Sequence, residues 1–301
     1  MTKTLVTHNG TFHADDVFAV ATFLLANNID NDWQVVRSRD EEVIKNADAV
    51  IDVGGVYDIA TLRFDHHQMG GAGVRANGIP FASFGLVWNV FGDMITMDKW
   101  IKDEVENKLV LSIDANDNGV KLSQNNIPDV FAYEISTLVA DFNSTWKEEA
   151  ESDDHASKLQ YESFMYLVGI ATKLITRIIT RARDKYEAKS FVIDAYNNAQ
   201  DKRLIVLDNF YPWQDVLINL PEPLFVVYPS ADKWNLKTVN KEKGSFESRK
   251  DLPLAWAGKR DQELADVTGV LDASFCHNAR FIATAKSKEG ILALAKIALE
   301  Q

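Results

Sequence analysis

Cysteine is almost absent from this chain, since Cys276 is the only one among 301 residues. One cysteine excludes a disulfide within the chain and is typical of proteins from a reducing compartment. No uninterrupted apolar run reaches the roughly 18 residues of a membrane helix. The first residues, Met1–Leu5, also contain no signal-peptide core. We therefore expect a cytoplasmic protein that does not insert into a membrane.

Basic residues are also scarce, with 32 Lys and Arg against 44 Asp and Glu and a formal net charge of -12. This balance is unfavourable for nucleic-acid binding, because Lys and Arg normally neutralise the phosphates. The deficit lies within residues 1–200, since residues 201–301 contain 14 basic and 14 acidic residues. Any surface for a polyanion is therefore expected in the last third of the chain.

A basic strip occupies residues 231–260, which contain 8 basic and 4 acidic residues. Three aromatic residues are interleaved with them: Trp234, Phe246 and Trp256. Lysines with aromatic rings suit single-stranded nucleic acid, through base stacking and phosphate attraction. A solvated hairpin with its tryptophans in a core explains the same pattern equally well, because charge runs are usually solvated faces.

Short apolar runs end in acidic or imidazole side chains at four places. Thr4–Thr7 precedes His8, Ala49–Ile51 precedes Asp52, Thr61–Phe64 precedes Asp65-His66-His67, and Leu109–Ile113 precedes Asp114. Short apolar runs bounded by Gly, Asn and Asp predict buried strands of a parallel sheet. Ligands of open α/β sheets bind at the carboxyl ends of the strands. We therefore expect these side chains, with His13 and Asp15, to meet in one crevice.

A crevice that gathers four aspartates is electrostatically costly unless some carboxylates take up protons or cations bind. The interleaved histidines favour cations, and neutral imidazoles beside carboxylates suit Mn, Fe, Co or Zn better than Ca. In two-metal phosphoester hydrolases the ions lie about 3.5–4 Å apart, activate a water and hold the phosphoryl oxygens. Asp52 is a candidate to bridge such a pair.

These motifs resemble the DHH phosphoesterase superfamily and, more closely, the melanocyte-proliferating-gene family of metal-dependent hydrolases. The resemblance is carried by Thr7–Asp16, Asp52–Asp58, Arg63–Gln68 and Phe275–Ala283. It implies a DHH-like fold and two divalent ions, Mn²⁺ in the first place with Mg²⁺ as the alternative. It also implies a 3′→5′ exonuclease that acts on RNA.

The resemblance also assigns roles to individual residues. The implied metal ligands are His8, His13, Asp15, Asp52, His66 and Asp114. His67 and Asp65 are the candidate catalytic residues: His67 would face the phosphate, while Asp65 would either touch a metal or hydrogen-bond a neighbouring group. The implied substrate-binding residues are His277 and Arg280. Apart from the resemblance, Lys259 and Arg260 are candidates for another substrate contact from a loop. For Arg280, a salt bridge on a strand is the alternative.

The first motif departs from both patterns. His13 stands near the place where the superfamily has its first aspartate, at a spacing from His8 that is one residue longer. Ala14 and Asp16 stand where the closer family commonly has Cys and Glu. The choice between His13 and Asp16 as a ligand therefore stays open.

We predict an α/β protein with a DHH-like parallel-sheet catalytic domain over residues 1–150. A helical connector over 151–200 would lead to a smaller α+β substrate-binding domain over 201–301. The expected function is a phosphodiesterase with single-stranded RNA or a short oligonucleotide as partner, and a homodimer is compatible with the sequence. A phosphatase or pyrophosphatase for small phosphoesters, and a metal-dependent regulatory protein without turnover, are the alternatives.

Overall fold

The computed structural model describes residues 2–27, 32–124, 126–150 and 153–301, without the side chains of 153–156. The chain divides into two compact units, Met1–Ala182 and Arg183–Gln301, and the division falls within one long helix. The predicted connector begins at residues 151 and 152, which lie outside the described residues. The functional assignment of the three segments stays a prediction.

The first unit contains a five-stranded sheet with the order β2-β1-β3-β5-β4. Its strands are β1 Lys3–Thr7, β2 Trp33–Arg37, β3 Ala49–Ile51, β4 Tyr57–Asp58 and β5 Arg63–Phe64. β1 pairs in parallel with β2 and β3, β3 pairs in parallel with β5, and β4 is antiparallel to β5. The predicted strands before His8, Asp52 and Asp65 are confirmed, and parallel pairing brings their carboxyl ends to one edge.

Helices surround this sheet. They are α1 Ala14–Asn27, α2 Glu41–Asn46, α3 Ser83–Thr96, α4 Lys99–Val105, α5 Leu111–Asp117, α6 Ile135–Ala140, α7 Trp146–Glu149 and α8 Asp153–Asn198. Helix α1 is buried from Ala14 to Phe23 and packs on α3, where Phe18 and Phe84 have ring centroids 5.5 Å apart. The α1–α3 contact is important below, because both helices begin at the carboxyl edge of the sheet.

The apolar run Leu109–Ile113 is helical, so its prediction as a strand was wrong. A π-helical turn, Glu106–Val110, links α4 to α5. Leu109, Val110 and Ile113 are buried in the core, which is the spacing of one helical face. A short apolar run has the same sequence pattern in a buried strand and in a buried helix, and here the helix is the result.

Helix α8 is 46 residues long, and Asp153–Asn198 lies within the range predicted for the helical connector, 151–200. Its face with Phe164, Leu167, Ala171 and Ile175 packs into the core of the first unit. Among the described residues, Ser157–Asn198 is the one helix long and apolar enough to cross a membrane, by length and composition alone. Core helices of soluble proteins satisfy the same criterion, and 39% of this apolar window is buried inside the protein.

The second unit has a five-stranded sheet with the order β6-β7-β8-β10-β9. The strands are β6 Leu204–Val206, β7 Phe225–Ser230, β8 Lys233–Thr238, β9 Ala273–Cys276 and β10 Ile282–Ala285, and the helices are α9 Gln214–Leu217, α10 Asp261–Thr268 and α11 Lys288–Glu300. Only β6 and β7 are parallel. The predicted α/β class is confirmed, with a mainly parallel sheet in the first unit and an α+β arrangement in the second.

The aromatic residues of the basic strip have three different environments. Trp256 is 1 % exposed and belongs to the core of the second unit, and Trp234 packs against that core half-buried. Phe246 is fully exposed. The two tryptophans therefore pack in or against a core, as the hairpin alternative predicted. Of the three aromatic residues of the strip, only Phe246 offers an exposed ring for stacking.

Candidate metal and phosphoester site

A cavity of about 760 Å³ opens at the carboxyl edge of the first unit's sheet. Its polar and charged lining consists of His8, His13, Asp15, Arg39, Asp52, Asp65, His66, His67, Asn116, Asp117, Ser136 and Thr137. Most of the acids and histidines that were expected to meet are therefore in one place. Asp114 and Asp16 are not part of the lining.

The end of β1 and the start of α1 form the first side of the cluster. His8 Nε2 lies 3.1 Å from Asp16 Oδ2 and 3.4 Å from Asp52 Oδ2. The other oxygen of Asp16 accepts a hydrogen bond from the backbone N–H of His13 and fixes the first turn of α1. His13 is exposed, with its ring 5.8 Å from that of His8. Asp16 thus orders the motif that carries both histidines.

Asp52 occupies the centre of the cluster, directly after β3. Its Oδ2 faces His8, while its Oδ1 lies 3.4 Å from His66 Nε2 and accepts a hydrogen bond from Ser83 Oγ at 2.9 Å. The backbone of Asp52 is left-handed with φ 58°, a conformation that Asn and Asp adopt more readily than most residues. The two oxygens therefore face different imidazoles, as expected for a bridging ligand.

Asp15 is oriented by the N-terminus of α3. The backbone N–H groups of Ser83 and Phe84 donate to its two oxygens at 2.9 and 2.7 Å. Residue Ala82 gives α3 no side-chain cap, so Asp15 supplies it from another helix. Burial raises the pKa of Asp15, and the nearby carboxylates, Asp52 first, raise it further. A neighbouring positive charge would therefore favour the ionised form of Asp15.

The third side is the tripeptide after β5. His66 Nε2 lies 3.1 Å from Asp117 Oδ2 and 4.0 Å from Asp15 Oδ2. His67 has 61 % of its side chain exposed, and its Nδ1 lies 2.7 Å from Asp65 Oδ1. Asp65 also accepts from the backbone N–H of Gly55 at 2.5 Å. Asp65 thus makes the hydrogen bonds of one of its two predicted roles and orients His67.

Asp114 does not face the cavity as the strand-end argument expected. Its Oδ2 pairs with Arg75 Nη1 at 2.7 Å, and its Oδ1 accepts from the backbone N–H of Gly85 at 3.0 Å. A Cβ atom at Gly85 would overlap this carboxylate, which explains the glycine. Asp117, one helical turn later, lies beside His66 instead. A helical interpretation of residues 109–117 would have placed Asp117 on the face of Ile113, which also lines the cavity, because positions four apart share a face.

The four predicted substrate-binding residues belong to the second unit. Arg280 Nη2 pairs with Asp251 Oδ2 at 2.8 Å, which is the salt bridge given as its alternative, although in a turn before β10. His277 Nδ1 accepts from the backbone N–H of Ala279. The Arg260 guanidinium packs 4.8 Å from the Phe275 ring. Lys259 forms no ion pair with the residues that the structure describes. Their binding role stays a prediction.

The donor set of the first unit fits divalent cations. Three groups have ligand atoms within 4.8 Å of one another: His8, His13 and Asp52; Asp52, His66 and His67; Asp15, His66 and Asp117. Two buried atoms, Asp16 Oδ2 and His66 Nε2, make no aligned hydrogen bond among the described residues. Carboxylates with imidazoles suit Mn, Fe, Co or Zn. The shared members, Asp52 and His66, make the groups adjacent, as a two-ion site requires.

Without a cation, protons on His8 and His66 offset the negative charge of the neighbouring carboxylates. Burial lowers the pKa of His8, but the adjacent Asp16 and Asp52 carboxylates outweigh this effect and raise it to about 10. Burial acts in the same direction on His66, while Asp117 and Asp52 raise its pKa to about 10. Divalent cations would replace these protons, because imidazole binds metals in its neutral form.

A family model described as "Uncharacterised protein family (UPF0160)" matches residues 4–299. The MYG1 protein of Dictyostelium discoideum is 30% identical, over 99% of this chain and 97% of its own. The MYG1 exonuclease of Homo sapiens is 29% identical, over 98% of this chain and 85% of its own. The solved structure of RecJ from Thermus thermophilus is similar at a TM-score of 0.31 and 10% identity, over 100% of this chain and 50% of that one. This TM-score is too low to establish a common fold.

Proposed function

Because the chain belongs to the MYG1 family, the uncharacterised protein family UPF0160, we propose that it is a metal-dependent exonuclease with its reaction centre in the His–Asp cluster of the first unit. The observation that carries the proposal is the convergence of Asp15, Asp52, His8 and His66 on one cavity. The name of the human relative supports the choice of an exonuclease among phosphoester hydrolases.

The residues of the cluster prepare this site in different ways. Divalent cations, when bound by His8, Asp52, His66 and their neighbours, supply Lewis-acid stabilisation of the phosphoryl and leaving oxygens. The Ser83 hydroxyl and the first N–H groups of α3 fix the orientations of Asp52 and Asp15. Fixed carboxylates need no reorganisation when the substrate enters.

His67 is the residue proposed to contact the phosphate. The Asp65 carboxylate, through its hydrogen bond to Nδ1, raises the pKa of His67 despite partial burial. The protonated ring keeps Nδ1–H on Asp65 and has Nε2–H free to donate to a non-bridging phosphoryl oxygen. Charge-assisted hydrogen bonds of this type are about twice as strong as neutral ones.

We further propose single-stranded RNA as substrate, 3′→5′ direction and Mn²⁺ as the natural ion. Chelated protein is expected to hydrolyse 5′-labelled single-stranded RNA once Mn²⁺ is added, with a ladder of products shortened from the 3′ end. Matched DNA, p-nitrophenyl phosphate and pyrophosphate serve as competing substrates, and Mg²⁺ as the competing ion. Hydrolysis of the small phosphoesters alone would identify a phosphatase or pyrophosphatase. Metal binding without turnover of any of them would identify the regulatory alternative.

Arg39 is a cavity residue that the sequence motifs do not reveal. It follows β2, is exposed, and makes no ion pair or hydrogen bond with the described part of the chain. We expect Arg39→Met to raise KM for RNA by roughly 10-fold, with kcat changed less than about 2-fold, because one charged phosphate contact is lost. Steady-state kinetics at several salt concentrations measures this, and the salt slope should fall by about 1.

The matched control is Lys45→Met, which removes the same charge from an exposed position on α2, outside the cavity. Equal changes of KM in both variants would show a general charge effect and would contradict a phosphate contact by Arg39.

A further inference from the structure

We infer that the second unit has a nucleotide-binding pocket of its own, built around Lys237, Trp213, Phe281 and Phe246. The cavity has a volume of about 460 Å³ and is lined entirely by residues of this unit. That volume lies within the range of small-molecule sites, roughly 300–1,000 Å³. The choice of a nucleotide over other aromatic anions rests on the function proposed above.

Lys237 is the charged group of the pocket. It lies on β8, is half-buried, and has its Nζ 5.9 Å from the Trp213 ring centroid and 6.0 Å from the Phe281 ring centroid. Among the residues that the structure describes, no carboxylate lies within ion-pair distance of it. An ammonium group without an anionic partner is costly to bury. An anion that enters the pocket would therefore pair with a charge that has already lost part of its hydration.

The acidic residues of the pocket leave Lys237 available. Asp215 pairs with Lys185, and Asp251 pairs with Arg280 at 2.8 Å. The third acid, Glu242, is exposed and adjoins the exposed cation Lys243. Two cations of the pocket, Lys237 and Lys243, are thus opposed by one acid that forms no ion pair within the described part of the chain. The local charge favours an anion in a chain whose total charge is -12.

The aromatic residues define the second half of the ligand. Trp213 is 2 % exposed and forms an apolar wall, whereas Phe246 is fully exposed on the segment that follows β8. An exposed phenyl ring beside a pocket offers a face on which a planar base can stack. A ring system with an attached phosphate matches both halves, and among common ligands a nucleotide has this composition. The basic strip, residues 231–260, thus contributes Lys237 and Phe246 to one compact pocket.

The test measures binding of AMP to the full chain by calorimetry in EDTA, which prevents metal-dependent hydrolysis. We expect saturable binding of AMP, and binding of adenosine and of inorganic phosphate that is each at least about 10-fold weaker. Lys237→Met should lower the affinity for AMP by roughly 10-fold or more, and Phe246→Ala by roughly 5-fold or more. Because Phe246 is fully exposed, its loss cannot unfold the unit.

Lys233→Met is the matched control, because this exposed lysine lies on the same strand and outside the pocket. It should bind AMP like the unchanged protein. A pentamer of oligoadenylate in EDTA distinguishes the two sources of the ligand: tighter binding than AMP identifies the end of a strand, and equal or weaker binding identifies a free nucleotide. Phosphate that binds as well as AMP, or AMP affinity unchanged in both Lys237→Met and Phe246→Ala, would overturn the pocket.

Failure of the pocket and failure of the exonuclease are separable. AMP binding that depends on Lys237, in a protein that never hydrolyses RNA with Mn²⁺, retains the pocket and rejects the exonuclease. Hydrolysis of RNA by a protein that binds no AMP in EDTA retains the exonuclease and rejects the pocket.

Discussion

Asp52→Asn is expected to reduce RNA hydrolysis by roughly 10²–10³-fold or more, because preorganised charge is usually the largest catalytic contribution. Asp52 is the residue whose two oxygens face both His8 and His66, at 3.4 Å in each case. The amide retains an oxygen for the Ser83 hydroxyl but loses the negative charge that cations and imidazoles share. Metal content measured after dialysis should fall together with the rate.

Asparagine is the appropriate substitution because of the backbone. Asp52 has φ 58°, and Asn tolerates the left-handed region better than Ala does. A loss in Asp52→Asn therefore reports on the charge, whereas Asp52→Ala would add backbone strain. The control is Asp58→Asn, an exposed cap whose amide oxygen can still accept the hydrogen bond from the backbone N–H of Ala60. If Asp52→Asn retained full metal content and a rate within about 10-fold of the unchanged protein, Asp52 would not be a central metal ligand.

The sequence predicted the parts of the site that depend on the parallel sheet. His8, Asp52 and the residues Asp65–His67 follow β1, β3 and β5, and the ends of parallel strands necessarily share an edge. The strand pattern alone was therefore enough to predict that these five residues lie close together. The same rule failed at Asp114, because its apolar run is helical.

The contacts that orient the cluster were not predictable from local sequence. Asp15 is held by the amides of Ser83 and Phe84, which are 68 and 69 residues away. Neither amide has a side-chain signal, and Ala82 is not a usual cap. Arg75 reaches Asp114 from a loop whose glycines indicate only a turn. The contacts of Asp15 follow from the packing of α1 against α3, and the contact of Arg75 follows from the packing of its loop against α5; no single segment determines either.

Arg75→Met should destabilise the protein by about 3–5 kcal/mol, the range found when one partner of a buried ion pair is removed. The Arg75 side chain is 9 % exposed and the Asp114 side chain is fully buried, with 2.7 Å between Nη1 and Oδ2. Arg75 Nε also donates to Glu106 at 2.9 Å, and its guanidinium lies 3.9 Å from the Phe81 ring centroid. Methionine replaces most of the packing but leaves the carboxylate of Asp114 unpaired. Urea unfolding at pH 7 in EDTA measures the loss.

The double variant Arg75→Met, Asp114→Asn separates the charge from the packing. Its amide oxygen can still accept from the backbone N–H of Gly85, and no buried charge remains, so most of the lost stability should return.

The pH dependence of stability gives a second test of the Arg75–Asp114 pair. Burial raises the pKa of Asp114 to about 6 even though Arg75 opposes this, and removal of Arg75 raises the pKa further. When the pKa of a carboxyl is higher in the folded state than in the unfolded state, the free energy of unfolding of the protein falls as pH rises. Arg75→Met should therefore be less destabilising at pH 5 than at pH 7. A loss that is equal at both pH values and is not relieved by Asp114→Asn would mean that Arg75 acts through Glu106 and Phe81 rather than through Asp114.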